Sequence, residues 1–444
     1  MNYIKRTIDN VLQAWANSYN RKPLLLRGAR QVGKTSAVRN LGKRFENYVE
    51  IDLNERTDLH YLFDSRFTPQ QICDNISVIT GISVIPGKTL LLLDEIQSCP
   101  DAINKLRYFY EKYPEQHIIA TGSLLEFALE DLPSFGVGRV ESVYMYPFSF
   151  NEFTNATGNV QLSSAIEAAS IDKPLHDVVH AKANELLRLF LAIGGMPEVV
   201  ATYVNTQSLF ECQKVLSTLV DSYKDDFVKY RRRINSSLIA DAWLSVAEQG
   251  QGKFIYSRVN GELRTEVIKR AVETLVLAGL VLPVVHTSGN GLPLGAEVNR
   301  KYTRMIMLDT GIAQKMLGLN VVDYISSEDT KAINRGALAE QFVGQEIIKN
   351  ASPYSKPSLY CWHREEKDGN AEIDYLIERD GRVLPIEVKA GTTGSMQSLR
   401  YFMKAKKLSL GVRTSLENFS KYDNIEVVPL YAWGNYIRGK NHTL

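Results

Sequence analysis

The run Gly28-Ala-Arg-Gln-Val-Gly-Lys-Thr35 lies between an apolar stretch, Pro23-Leu-Leu-Leu, and Ser36-Ala-Val-Arg-Asn-Leu, which reads as a helix. In this setting the two glycines let the backbone N–H groups of Gly28, Ala29, Arg30, Gln31, Val32 and Gly33 close around the phosphates of ATP. The helix N-terminus behind them presents unpaired donors that favour an anion. Lys34 adds a point charge, Thr35 a hydroxyl able to ligate Mg²⁺, and Ser36 a further donor. Downstream, Thr89-Leu-Leu-Leu-Leu-Asp94-Glu95 reads as a buried strand of parallel type, with two acids at the end where open α/β sheets bind ligands. Asp94 would hold Mg²⁺ through water and Glu95 would align the attacking water. A further strand, His117-Ile-Ile-Ala-Thr121, runs into Gly122 and Ser123. The Ser123 hydroxyl either senses the γ-phosphate or caps the helix that follows. Arg139, after Gly136 and Gly138, either completes a neighbouring subunit's site or makes a structural salt bridge.

A second constellation lies near the other end of the chain. Asp380-Gly381 favours a two-residue type I′ hairpin, which sets Asp374 opposite Glu387 and Glu372 opposite Lys389. Side chains alternate along a strand, so these four share one face, while Ile373, Ile377, Leu384, Ile386 and Val388 share the other. Asp374 and Glu387 then approach to roughly 5 Å and repel unless something cationic intervenes. Either a divalent metal held by Asp374 and Glu387, helped by Lys389, or an exposed polar face with a Glu372–Lys389 surface pair satisfies this spacing.

These residues must be positioned by several domains: 444 residues suffice for about three of ordinary size. A hydrophobic content of 44% with 23% charged residues is that of a globular protein. A net charge of +2 excludes a global attraction to nucleic acid, leaving local patches to provide any. Cys73, Cys99, Cys212 and Cys361 show no paired spacing, which suits a reducing cytoplasm, and no run approaches the length of a membrane span. Residues 151–232 read mainly as helices. His176 and His180 have the i, i+4 spacing of a zinc helix but lack its glutamate and a third ligand, so an exposed helix face is the reading. The basic run Lys229-Tyr-Arg-Arg-Arg233 carries little information alone. Arg264–Ala278 reads as a helix with Val267, Ile268, Ala271, Val272, Leu275 and Val276 inward and Arg264, Lys269 and Arg270 outward. With strands over 280–285 and 301–308 it fits a winged helix, used for DNA or for a protein partner.

Taken together, Gly28–Thr35, Leu91-Leu-Leu-Asp-Glu-Ile, Ala-Thr-Gly-Ser123, Gly-Arg139 and Tyr-Pro-Phe-Ser-Phe-Asn-Glu-Phe153 resemble the prokaryotic AAA-type ATP-binding proteins that end in a domain of unknown function. The resemblance continues through Gly194-Gly-Met-Pro-Glu, Leu308-Asp-Thr-Gly-Ile and Glu387-Val-Lys389. It implies an α/β fold: a P-loop parallel sheet with helices on both faces and a fifth strand from Arg139, then a helical lid, a winged helix and a small α/β nuclease-like domain. The corresponding spans are 1–150, 151–232, 233–320 and 321–444. It implies a lid contact to the nucleotide from Gly195 and Pro197. It also implies that Asp374, Glu387 and Lys389, with Glu340 from a preceding helix, are similar to the PD-(D/E)xK nuclease core, whose acids hold Mg²⁺. Ile373 stands where that motif has proline. The expected activity is Mg²⁺-dependent ATP hydrolysis acting on DNA. An ATP-gated nuclease and a nucleotide switch that binds a protein partner are the alternatives, and a homo-oligomer is compatible with each.

Overall fold

The computed structural model describes residues 3–131, 138–230, 234–250, 252–326, 335–365, 371–392 and 394–439. The chain folds as two units, one running to Tyr146 and including Ser352–Lys356, the other comprising Pro147–Ala351 and the chain from Pro357 onward.

In the first unit, β1 (Leu24–Arg27), β2 (Asn47–Asp52), β3 (Thr89–Asp94), β4 (His117–Thr121) and β5 (Glu141–Tyr144) form a sheet in the order β2-β3-β4-β1-β5. Every pairing is parallel. Each residue of β3 is buried, as its unbroken apolar run demands of a central strand covered on both faces. Leu91 and Leu93 pack with Ile72, Ile76, Ile103 and Phe109 from helices Pro69–Thr80 and Pro100–Lys112. The parallel order carries the carboxyl ends of β1, β3 and β4 to one edge of the sheet. β5 begins at Glu141, two residues later than the resemblance suggests. Gly136 and Val137 lie outside the described residues, as do Arg231, Arg232 and Arg233 of the basic run.

The second unit opens with helices Phe150–Ala156, Val160–Ala168, Asp177–Ile193, Pro197–Thr206 and Leu209–Asp226. Its sheet comprises β6 (Val281–Thr287), β7 (Val298–Met307), β8 (Leu359–His363), β9 (Glu372–Arg379), β10 (Arg382–Val388), β11 (Gly411–Ser415), β12 (Ser420–Tyr422) and β13 (Ile425–Pro429), in the order β12-β13-β11-β10-β9-β8-β6-β7. The two strands expected to form a wing, β6 and β7, do pair antiparallel, and β6 also pairs in parallel with β8 at Val284–Leu359. One sheet thus continues across residue 320. The helix expected over 264–278 spans Thr265–Leu277 and buries Ile268, Ala271, Val272 and Leu275; Val267 is exposed, since it falls about 100° round from Ile268.

The β9–β10 hairpin has the register that Asp380-Gly381 dictates, with Arg379 opposite Arg382 and Tyr375 opposite Ile386. Both turn residues take positive φ, 51° and 70°, as a type I′ turn requires. Asp374, Glu387, Ile373 and Ile386 are all largely buried although Glu372 is exposed, so the Asp374 and Glu387 carboxylates do not lie on an exposed polar face.

Candidate functional site

The first site forms where β1, β3 and β4 end. Gly28 has φ +144°, and a Cβ there would stand 2.1 Å from the carbonyl oxygen of Met145, so only glycine fits. Gly33, at φ +94°, caps helix Lys34–Gly42, and Gln31 also has positive φ. Ala29 and Val32 are buried, Arg30 is half-buried and Ser36 is exposed. The buried ammonium of Lys34 donates to the carbonyl oxygens of Gly28 at 2.9 Å and Ala29 at 2.8 Å. Burial lowers its pKa to about 8, against the opposing pull of Glu95 and Asp94.

Asp94 is fixed from three sides. Thr35 Oγ1 donates to Oδ2 at 2.7 Å, Thr121 Oγ1 donates to Oδ1, and the Glu95 N–H donates to Oδ1 at 3.0 Å. Glu95, at φ +48°, turns its carboxylate toward Ser123, whose Oγ donates at 2.9 Å and whose N–H donates at 3.3 Å; Gln97 Nε2 donates to the same oxygen. Ser123 is thus engaged in orienting Glu95. Sequence reasoning missed Gln97, although its place two residues after Glu95 is visible. It also missed Glu50, which takes both Arg39 Nε at 2.8 Å and the Tyr48 hydroxyl at 2.7 Å on the flank of the same helix. A buried ammonium, a helix N-terminus and a hydroxyl against a carboxylate form a donor set that fits a nucleotide triphosphate with Mg²⁺. Arg139 is half-exposed and its Nε lies 2.5 Å from Glu111 Oε1, the salt bridge among its two readings.

Pro197 lies in the second unit, at the first turn of helix Pro197–Thr206. The preceding glycines are engaged within that unit. The Gly195 N–H donates to Asp309 Oδ2 at 2.7 Å, and the Gly195 oxygen accepts from the Phe148 N–H at 2.7 Å. A Cβ on Gly194 would meet Asp309 Oδ1 at 2.0 Å, and one on Gly311 would meet the Ile193 oxygen at 2.2 Å. Lys349 Nζ lies 3.6 Å from buried Glu346, which accepts from the Phe150 N–H at 3.2 Å. Burial raises the pKa of both Asp309 and Glu346, with Lys349 opposing. The Gly194-Gly and Leu308-Asp-Thr-Gly motifs are therefore two halves of one joint.

At the hairpin, Arg304 of β7 donates to Glu340 Oε2, on helix Arg335–Lys349, and to the Asp374 carbonyl oxygen at 3.2 Å; its Nη1 lies 3.6 Å from Asp374 Oδ1. Asp374 Oδ2 accepts from the Val388 N–H at 2.7 Å, and Lys389 Nζ donates to Glu387 Oε1 at 2.6 Å. Two of the four residues expected to act together, Glu340 and Asp374, are joined by an arginine the sequence reading did not name, and the other two, Glu387 and Lys389, by their own ion pair. Burial and the charge of Asp374 push Glu387 up to about 7. Glu372 is not part of this group; its carboxylate takes the Tyr302 hydroxyl at 3.0 Å.

Among the described residues, one set of three His, Cys, Asp or Glu brings its ligand atoms within 4.8 Å of one another: His286, His363 and Glu365. The His286 Nδ1 accepts from the His363 N–H at 3.2 Å and its Nε2 lies 3.4 Å from Glu365, so both ring nitrogens are engaged. His180 is not on an exposed face: its Nδ1 is 2.9 Å from the Tyr431 hydroxyl and its Nε2 is 3.1 Å from Asn184. No helix of the described residues is long and apolar enough to cross a membrane.

An AAA domain model matches residues 20–154, and models of two domains of unknown function match residues 184–323 and 335–433. The first unit thus carries an AAA-type P-loop domain, in which the phosphate loop, the acids of β3 and the five-stranded parallel sheet occur together. Among solved structures, the chain is similar to the Walker-type ATPase PABY2304 of Pyrococcus abyssi, at 15% identity over 71% of this chain and 96% of that one, with a TM-score of 0.46. It is also similar to the Aeropyrum pernix Orc1 protein in complex with DNA, at 12% identity over 70% and 90% of the two chains, with a TM-score of 0.28. Against curated proteins the chain finds no match.

Proposed function

We propose that this chain is a Mg²⁺-dependent ATPase that acts with DNA through its second unit. The observation that carries the reading is the grouping of Lys34, Thr35, Asp94 and Glu95 at the carboxyl edge of the parallel sheet. Lys34 would leave the loop carbonyls for the phosphates, and Glu95, steadied by Ser123 and Gln97, would orient water and accept its proton. Mg²⁺, held by Thr35 and through water by Asp94, would neutralise phosphate charge. DNA as partner is supported by the helix Thr265–Leu277, whose exposed side presents Lys269 and Arg270, with Arg264 just before it.

A gel-shift series with duplex DNA at rising salt, run beside steady-state ATP turnover, tests both parts. Expected are turnover that Glu95→Gln abolishes, and a shift that weakens steeply with salt and is reduced in an Arg264→Ala/Lys269→Ala/Arg270→Ala variant. Turnover without any salt-sensitive shift would transfer the second unit to a protein partner; absence of turnover would end the ATPase reading.

A further inference from the structure

The hairpin centre supplies its own cations. Three acids meet there, Glu340, Asp374 and Glu387, and each faces a basic group from another segment or a neighbouring position. Arg304, whose side chain is almost wholly buried, contacts Glu340 and Asp374. Lys389 contacts Glu387, and the register partner of Glu387 on β11 is the buried Arg413. Glu340 and Asp374 thus share a buried guanidinium and Glu387 an ammonium, while Arg413 also lies 3.6 Å from Glu417. Asp374 Oδ2 accepts from the Val388 N–H and Oδ1 lies 3.6 Å from Arg304 Nη1; Glu387 Oε1 accepts from Lys389, and Glu387 Oε2 is a buried oxygen without a partner. A divalent ion seated on Asp374 and Glu387 would share Asp374 with the Arg304 guanidinium, a like charge with Nη1 3.6 Å from Oδ1 that opposes it. Nor do Glu340, Asp374 and Glu387 form a set with ligand atoms mutually within 4.8 Å.

We infer that Arg304 is the resident cation of this centre, standing where a PD-(D/E)xK nuclease would hold its metal, so that the domain binds no divalent ion there and does not cut DNA. Arg304 arrives from β7, beyond β6 and β8 in the sheet order, so the wing strand itself plugs the centre. A buried guanidinium bridging a helix acid and a strand acid holds them in fixed geometry, but it cannot bind or activate water as a metal ion does.

The test uses Mn²⁺ alone, titrated into the nucleotide-free full chain and followed by the electron paramagnetic resonance of the free ion. Wild type, Asp374→Asn and Glu387→Gln are expected to bind the same number of Mn²⁺ ions with affinities within about twofold, because none binds at this centre. Loss of one bound ion, or affinity weakened about tenfold or more, in either variant would overturn the inference. Glu387→Gln removes no partner of Arg304, so the comparison survives a poorly folded Asp374→Asn. Plasmid incubated with Mn²⁺ gives the second readout: equal background nicking by wild type and Lys389→Ala is expected, and nicking that Lys389→Ala abolishes would overturn it. Neither readout depends on ATP turnover, so this inference and the ATPase reading fail separately.

Discussion

The hydroxyl of Thr35 donates to Oδ2 of Asp94 at 2.7 Å, joining the first turn of the loop helix to the end of β3 across 59 residues of chain. Both atoms have the chemistry to bind Mg²⁺ directly or through water, and the parallel order of the sheet brings them together. On the far side of Asp94, Glu95 is aimed by Ser123 and Gln97. In the proposed ATPase, binding and turnover would therefore reside in different residues.

That separation gives the first prediction. Glu95→Gln should leave the ATP dissociation constant nearly unchanged and lower kcat by about a hundredfold or more, the usual weight of a positioned base. Ser123→Ala, which removes only an orienting donor, should lower kcat less and leave KM alone. Stopped-flow binding beside steady-state kinetics separates the two; a Glu95→Gln protein that turns over normally removes Glu95 from the chemistry.

Lys34 makes a prediction of opposite sign for stability. Its folded pKa, about 8, is depressed from 10.5, so the charged form is disfavoured by folding. The cost is fully present below pH 8 and fades as pH rises through 10.5. Lys34→Met should therefore melt higher than wild type at pH 7 without nucleotide, by on the order of 1–3 kcal/mol in stability, and the advantage should shrink by pH 10. Calorimetric melting at the two pH values decides it, and a lower melting point for Lys34→Met at pH 7 would count against a strained, desolvated ammonium.

For Glu387 the folded pKa is raised from 4.5 to about 7, by burial first and by Asp374 next. Its ionised form then costs stability above pH 7, and the cost is absent below pH 4.5. Glu387→Gln should be the more stable protein at pH 8, by on the order of 1–3 kcal/mol, and should match wild type near pH 4.5. Urea midpoints at both pH values provide the check; a Glu387→Gln protein less stable than wild type at pH 8 would show that the Lys389 pair outweighs burial.

The glycine joint predicts a large structural penalty. Gly194 combines φ +76° with a Cβ position 2.0 Å from Asp309 Oδ1, so Gly194→Ala should lose about 2 kcal/mol or more. Asp309→Asn, which keeps the shape, should lose less. Equal denaturant midpoints for wild type and Gly194→Ala would show that the joint yields.

How much of this was legible follows from how local each feature is. The phosphate loop is a contiguous run with its strand before and its helix after, and Asp380-Gly381 sets its own register, so both could be read without a fold. Arg304 could not: its value lies in reaching Glu340 and Asp374, 36 and 70 residues away, and nothing in Tyr302-Thr-Arg-Met distinguishes it from a surface arginine. The Gly194–Asp309 joint hid for the same reason, its halves being 114 or more residues apart. The antiparallel pairing of β6 with β7 was legible, but not its second pairing with β8, because an apolar run does not reveal that both of its edges are paired. Ser123 could be placed near the site as a phosphate sensor or a helix cap, but its bond to Glu95 could not be read, because it depends on the left-handed turn at Glu95.

The most direct measurement is isothermal calorimetry of MgATP binding to wild type and Lys34→Ala. Wild type should bind saturably, and Lys34→Ala should bind about a hundredfold more weakly or beyond detection, since a buried charge facing phosphate is lost. Equal affinity in the two proteins would contradict the assignment of this loop as the ATP site.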